Sequence, residues 1–297
     1  MTTPIARGSD AAPSPTALMG VALMLLGMFL FSANDVLGKW LVSTYSVGQV
    51  LLIRSVAALV VLAPFLWRAG LASLVRVERP GLQVVRMALS TAEVVFFYSA
   101  VRHMPLADAM TYWLAAPIYV AALSPLLLGE RVRWRRWSAI AAGFVGVVVA
   151  LEPSSATLSM PAVYALAGSL AFALMMVTGR SLRGTPDAAL VSWQIVGALA
   201  FGLVAAPAGW VPPSTPDFLL LALLGVVSMG AHVCVNRSLK LAPAATVAPF
   251  QYTLLLWAIV FGWAVFGDIP RPTMMAGGAI IVAAGLYIFF REQKLRR

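Results

Sequence analysis

Cysteine, histidine and acidic side chains are scarce in this chain: 297 residues hold one Cys, two His and 11 Asp plus Glu. The single cysteine, Cys234, lies inside an apolar run, so an internal disulfide and a thiolate metal cluster are both excluded. The sequence also lacks a Walker-type phosphate loop, an HExxH pair and a GxSxG elbow. Direct ATP-driven pumping and membrane hydrolysis therefore lack their chemical parts. No enzyme activity, metal or cofactor is expected. Charge is low overall, at 11% of residues, against 61% hydrophobic residues and a mean hydropathy of +0.90. That leaves too little polar surface to cover a water-soluble protein of this length. A net charge of +10 would suggest nucleic acid in a soluble chain. Here the basic residues sit in short loops between apolar runs, where they set membrane orientation instead.

What the chain has in abundance is apolar segments of about 20 residues, each long enough at 1.5 Å per residue to cross the hydrocarbon core. They are expected at 18–41, 48–67, 81–102, 106–128, 134–151, 161–180, 187–207, 217–238, 243–266 and 272–290. The fold class is therefore all-α and polytopic, with ten transmembrane helices. Residues 1–17 are polar and rich in Pro, Ser and Ala, without a basic region tight against a short apolar core. They read as a disordered cytoplasmic tail and not as a cleaved signal. Residues 291–297 read as a basic cytoplasmic tail. Sixteen Lys and Arg fall in alternate loops and the two termini, against only Arg102 and Arg271 on the opposite side. Such a ratio places both termini in the cytoplasm.

The chain also repeats itself. The stretch from Pro105, PLADAMTYWLAAPIYVAALSPLLLGERVRWRRW, recurs from Pro243 as PAATVAPFQYTLLLWAIVFGWAVFGDIPRP. Without a gap, Pro105 falls on Pro243, Ala107 on Ala245, Gly129 on Gly267 and Glu130 on Asp268. In the same register Ser90 meets Ser228 and Arg102 meets Lys240. A slightly shifted register puts Gly38-Lys39 on Gly179-Arg180. The chain divides into repeats at 18–152 and 153–290. Five spans in each mean that the second is inverted, with a solute site expected at mid-membrane between them.

The doubled motif, P-x-A before a helix, then LLLGERVRWRRW or VFGDIPRP before a glycine-rich helix, resembles the ten-helix exporter branch of the drug/metabolite transporter superfamily. The resemblance covers residues 18 to 290. The stretch RMALSTAEVVFFYSAVRHMPLADAMTYW is similar to the part of that branch that includes bacterial amino-acid exporters, aromatic amino acids among their solutes. The resemblance implies a basket of helices around a central cavity, lined by the first, third, fourth, sixth, eighth and ninth. It further implies export from a bacterial cytoplasmic membrane.

The polar residues supply the candidate site. On the third segment Gln83, Arg86, Ser90 and Glu93 share one helical face. A charged side chain at the bilayer centre costs about 2.5–3.5 kcal/mol on insertion scales. Glu93 is thus read as facing the pathway, to meet a substrate ammonium or carry a coupling proton; the alternative is a packing hydrogen bond to a neighbouring helix. Ser228, His232 and Asn236 make the matching stripe on the eighth segment, with His232 either a carboxylate partner or bonded to a backbone carbonyl. Tyr112 and Trp113, with Gln251 and Tyr252 in the mate segment, make an aromatic and polar set suited to an amino acid, or alternatively to helix packing.

Asn34 is a further candidate substrate contact. Asp35 and Arg54, at one depth on adjacent segments, are expected to form a structural ion pair. Glu130 and Asp268 are expected to tie the repeated turns. Pro117, Gly230 and Pro249 are candidate hinges for alternating access, or static kinks. The function these readings favour is a secondary exporter of small and of aromatic or apolar amino acids. The alternatives are export of another metabolite or a drug, a channel, or a membrane scaffold. The expected partners are the solute, the lipid bilayer and a candidate coupling proton, with no nucleic acid.

Overall fold

In the computed structural model, the described residues are 15–69, 77, 79–128, 134–151, 159–182, 184–242 and 247–296. They form α1 (Pro15–Thr44), α2 (Val47–Ala69), α3 (Pro80–Val101), α4 (Leu106–Trp113), α5 (Ala116–Leu128) and α6 (Trp134–Leu151) in the first half. The second half holds α7 (Met160–Arg180), α8 (Asp187–Ala205), α9 (Thr215–Leu241), α10 (Thr253–Phe266) and α11 (Pro272–Arg296). Short 3-10 turns cover Ala206–Gly209 and Ala248–Tyr252. No strand occurs among the described residues. Six helices, α1, α2, α3, α7, α8 and α9, are long and apolar enough to cross a membrane, and three shorter apolar helices accompany them. The protein is an all-α, polytopic membrane protein.

Element boundaries depart from expectation at the ends. α1 begins at Pro15 and runs to Thr44, and α11 continues to Arg296, so the segment expected as a basic tail extends the last helix. Residues 1–14, Glu130 and the loop residues Arg76, Arg131 and Arg133 lie outside the described residues.

The fourth span is broken. Its halves, α4 and α5, meet at Leu114 and Ala115, where the Ala115 N–H reaches the Tyr112 carbonyl at 3.1 Å. Pro117 explains the break, since it has no N–H for the carbonyl of Trp113, four residues earlier. In the repeat register these residues fall on Tyr252 and Thr253, where the ninth span changes from 3-10 to α-helix. Pro249 lies within that 3-10 turn. The breaks match across the repeat although the prolines do not: Pro117 falls on Leu255 and Pro249 on Thr111. Gly230, the third expected hinge, lies inside the unbroken α9.

The principal helix pairs join the two halves: α1 with α9, α3 with α7, α2 with α8, and α6 with α11. Exchanging the repeats swaps the first two pairs and returns the last two to themselves. A pattern closed under exchange is what a pseudo-two-fold axis between the halves produces. Close approach depends on small residues, as membrane packing requires without a hydrophobic drive between helices. Where α6 meets α11, a Cβ on Gly277 would lie 2.6 Å from the Gly146 carbonyl.

Ion pairs and hydrogen bonds gather at one end of the bundle. Lys39 Nζ, near the end of α1, meets Asp268 Oδ2 at 2.6 Å, and Arg271 meets Asp108 at 3.6 Å. Tyr45 donates to Asp217 at 2.7 Å, while Gln49 donates to the Val211 carbonyl and accepts from its N–H. Gly267 positions Asp268: it ends α10 at φ 69°, in the left-handed region that only glycine enters freely. All these ties are on the face opposite the arginine-rich loops.

Candidate functional site

Mid-membrane polar groups from four helices converge on Arg54 of α2. Its guanidinium donates to the Tyr98 hydroxyl of α3 at 2.6 Å and to Ser228 Oγ of α9 at 3.1 Å. The Asn34 amide of α1 lies against both Tyr98 and the Asp35 carboxyl. Asn34 Oδ1 is buried and has no partner. Glu93 is within hydrogen-bonding reach of the Trp113 indole and in the field of Arg54. The site thus gathers one guanidinium and two carboxyls, Asp35 and Glu93, at one level of the bundle.

The expected Asp35–Arg54 ion pair is not a direct one. No carboxylate among the described residues stands at ion-pair distance from Arg54, whose donors go to the two hydroxyls. The physical reason is geometric: a planar fork that bridges Tyr98 and Ser228 cannot also lie flat against Asp35, which Asn34 supports instead. Arg54 therefore ties three helices together while acting on both carboxyls through space.

Asp35 and Glu93 are half-buried and His232 is exposed. His232 bonds through Nδ1 to the Ser228 carbonyl at 2.8 Å, so the backbone-bonded alternative is realised, and its ring stands edge-on to Phe31 at 4.8 Å. Its Nε2 remains available.

The structure divides the aromatic set. Trp113 lies beside Glu93: it is edge-on to Phe97 at 5.1 Å and rests where Gly168 of α7 leaves room for its ring. Tyr112 is a core residue, 1% exposed among Leu114, Ile118 and Ile140. Tyr252 reaches Gly285 of α11 with its hydroxyl and packs in the same core, whereas Gln251 is exposed. Two neighbours on a helix point about 100° apart, and here Tyr112 turns into the core while Trp113 lies beside Glu93. Ser90 is buried on the Glu93 face.

Tyr98 escaped the sequence reading because it does not share the Glu93 face of α3. A signal was present, since its repeat mate is the polar Asn236. Among the described residues no cluster of His, Cys, Asp or Glu could hold a metal ion.

The chain matches known proteins along nearly its whole length. The model of the EamA-like transporter family matches twice, at residues 18–151 and 159–291. An S-adenosylmethionine uptake transporter of Rickettsia prowazekii is 25% identical, over 94% of this chain and 95% of its own. A riboflavin transporter of Rhizobium johnstonii is 27% identical over 97% of each chain. The pseudopaline exporter CntI of Pseudomonas aeruginosa is 28% identical over 89% of this chain and 94% of its own. A solved crystal structure at 17% identity covers 96% of this chain with a TM-score of 0.56, a likeness of fold alone. The doubled match, the helical architecture and the interior polar site agree: this chain is a membrane transporter, not an enzyme, and belongs to the EamA-like transporter family.

Proposed function

We propose that the protein is a secondary transporter that moves small and aromatic or apolar amino acids out of the cell, across a bacterial cytoplasmic membrane, by alternating access. The observation that carries this reading is the charge balance at the site. One guanidinium stands near two carboxyls, Asp35 and Glu93, a set able to take up one further cation. A solute ammonium fits that place, and a coupling proton competes for it. Trp113, beside Glu93, and the partly exposed Phe31, against His232, bring apolar rings near it. The arginine-rich loops are placed in the cytoplasm by the positive-inside rule. The ties among Lys39, Asp268, Asp108 and Arg271 then close the outer side.

A second reading is favoured by the range of the relatives' names, which cover S-adenosylmethionine, riboflavin and pseudopaline. In it, the same cavity accepts a different small metabolite or a drug. The first of those three solutes is itself an amino acid, which agrees with the charge argument.

Proteoliposomes loaded with a panel of unlabelled amino acids test the reading by uptake and counterflow of labelled ones. Saturable flux of an aromatic or apolar amino acid, accelerated by the same solute inside, is expected. Absence of flux for every amino acid, with folded protein confirmed, would overturn the substrate class and leave the transporter fold. Net efflux from loaded cells that express the protein, compared with cells that lack it, tests direction.

A further inference from the structure

The α6–α11 pair carries a groove far from the polar site. Its volume is about 350 Å³, and it is almost wholly apolar. Ser138, Ala139 and Ala142 of α6 line one wall, with Ala283, Ala284 and Tyr287 of α11 on the other. Ala139 and Ala284 are buried at its floor, whereas Ser138, Ala142, Ala283 and Tyr287 are exposed along its rim.

The repeat explains why the helices part here. Exchange of the halves returns α6–α11 to itself, so a contact toward one end has a mate toward the other. The backbones touch at Gly146 and Gly277, where neither residue has a side chain to hold them apart. In the repeat register Gly146 falls on Ala284 and Gly277 on Ala139. Two methyl groups thus stand where the mate contact has hydrogens, and the groove opens between them. Its mouth lies at the end of the arginine-rich loops, where α6 begins and α11 finishes. Arg135 precedes Ser138 by three residues, and Arg291 and Lys294 follow Tyr287 by four and seven. Those spacings keep each on the groove's face of its helix. Their repeat mates are Thr273, Pro153 and Ala156, so these charges do not recur at the other end.

We propose that this groove binds a phospholipid with an anionic headgroup, one acyl chain lying over Ala139 and Ala284 and the phosphate at the basic mouth. An apolar trough that opens onto basic residues at the membrane surface matches both parts of such a molecule. The exposed rings of Trp134 and Trp137 set the mouth at headgroup depth, where amphipathic aromatics sit. A second copy of this chain fits less well. A two-fold contact within one membrane puts like ends together, so the Arg135, Arg291 and Lys294 charges of both copies would meet without a counter-charge. A zwitterionic lipid fills the trough but leaves the charge of the mouth unanswered. The site therefore selects by headgroup.

The test is native mass spectrometry of the full chain, released from detergent micelles that hold equal amounts of phosphatidylglycerol and phosphatidylcholine. The wild type is expected to retain phosphatidylglycerol over phosphatidylcholine by about tenfold or more, since each basic residue near the surface contributes a factor of about five. Ala142→Leu with Ala283→Leu fills the groove at two exposed positions and should abolish that preference. Arg135→Gln with Arg291→Gln leaves the groove in place and should also abolish it. Arg79→Gln, which removes an exposed charge at the same end beside α3, should keep it. Thermal midpoints equal to that of the wild type show that the variants fold. Equal retention of the two lipids by the wild type would overturn the site, and so would a preference that survives either double substitution. A preference lost equally in Arg79→Gln reports general surface charge and overturns it too. Paired chains in the wild type that Ala142→Leu with Ala283→Leu separates would assign the groove to a second copy instead.

Discussion

The Lys39 ammonium and the Asp268 carboxylate meet at 2.6 Å, joining α1 to the turn after α10, and the same ammonium stands 4.5 Å from the centre of the Phe266 ring. Both side chains are largely covered, so removing one leaves the other partly desolvated and alone. Asp268→Asn should lower stability by about 1–3 kcal/mol, between the values for exposed and for buried pairs. The reversed pair, Lys39→Glu with Asp268→Lys, should recover part of it. A thermal midpoint unmoved by Asp268→Asn would show that the contact does not hold this face.

Arg54 should resist substitution even by lysine. Its fork bridges Tyr98 and Ser228 while offsetting Asp35 and Glu93, and a lysine ammonium cannot reproduce that planar span. Arg54→Met leaves two carboxyls without their cation, a change expected to cost on the order of 3 kcal/mol. Thermal midpoints and yields of both variants check this. An Arg54→Lys protein as stable as wild type would remove the bridging role.

The Trp113 ring occupies the space left by the missing side chain of Gly168, so a methyl there would overlap it. Gly168→Ala is expected to push Trp113 from Glu93, at an overpacking cost of about 1–3 kcal/mol. Transport assays should show a raised KM for aromatic solutes. Gly81→Ala, where an added methyl meets nothing within 4 Å, is the control and should behave as wild type. Equal KM values in the two variants would separate Trp113 from solute binding.

Tyr45, just beyond α1, donates to Asp217 at 2.7 Å, and this hydrogen bond holds the phenol above its ordinary value of about 10. A raised folded value means that the tie contributes fully below the ordinary pKa and is lost as pH rises through the folded one. Asp217→Asn should therefore bring the titration of Tyr45 down, read as the ultraviolet difference against Tyr45→Phe. A midpoint that does not move would show that Asp217 is not the cause.

The spans were legible because apolar length is a direct membrane signal, and the repeat because its turns keep Gly129 and Gly267 in register. The α4–α5 break was legible as Pro117, but the matching change at Tyr252 and Thr253 was not, since no proline of the other half shares the register. Glu93 was read from a helical face and Trp113 from aromatic character, and the structure sets the two within reach of each other. Tyr98 was not, because a face is a property of one helix and Arg54 reaches it from another. Tyr112 lies in the core, and aromatic character alone does not tell a cavity wall from a core. The groove between α6 and α11 was not legible, because Ala139 and Ala284 read as ordinary packing positions until both helices are placed.

In the proposed cycle a solute ammonium occupies the place beside Glu93 and crosses as the halves alternate. Counterflow of labelled phenylalanine into preloaded proteoliposomes, wild type beside Glu93→Gln, tests it most directly. Saturable, trans-stimulated flux is expected in the wild type, with at least about a tenfold loss in the variant, the scale of one charge-assisted contact. Flux in Glu93→Gln equal to that of the wild type would contradict it.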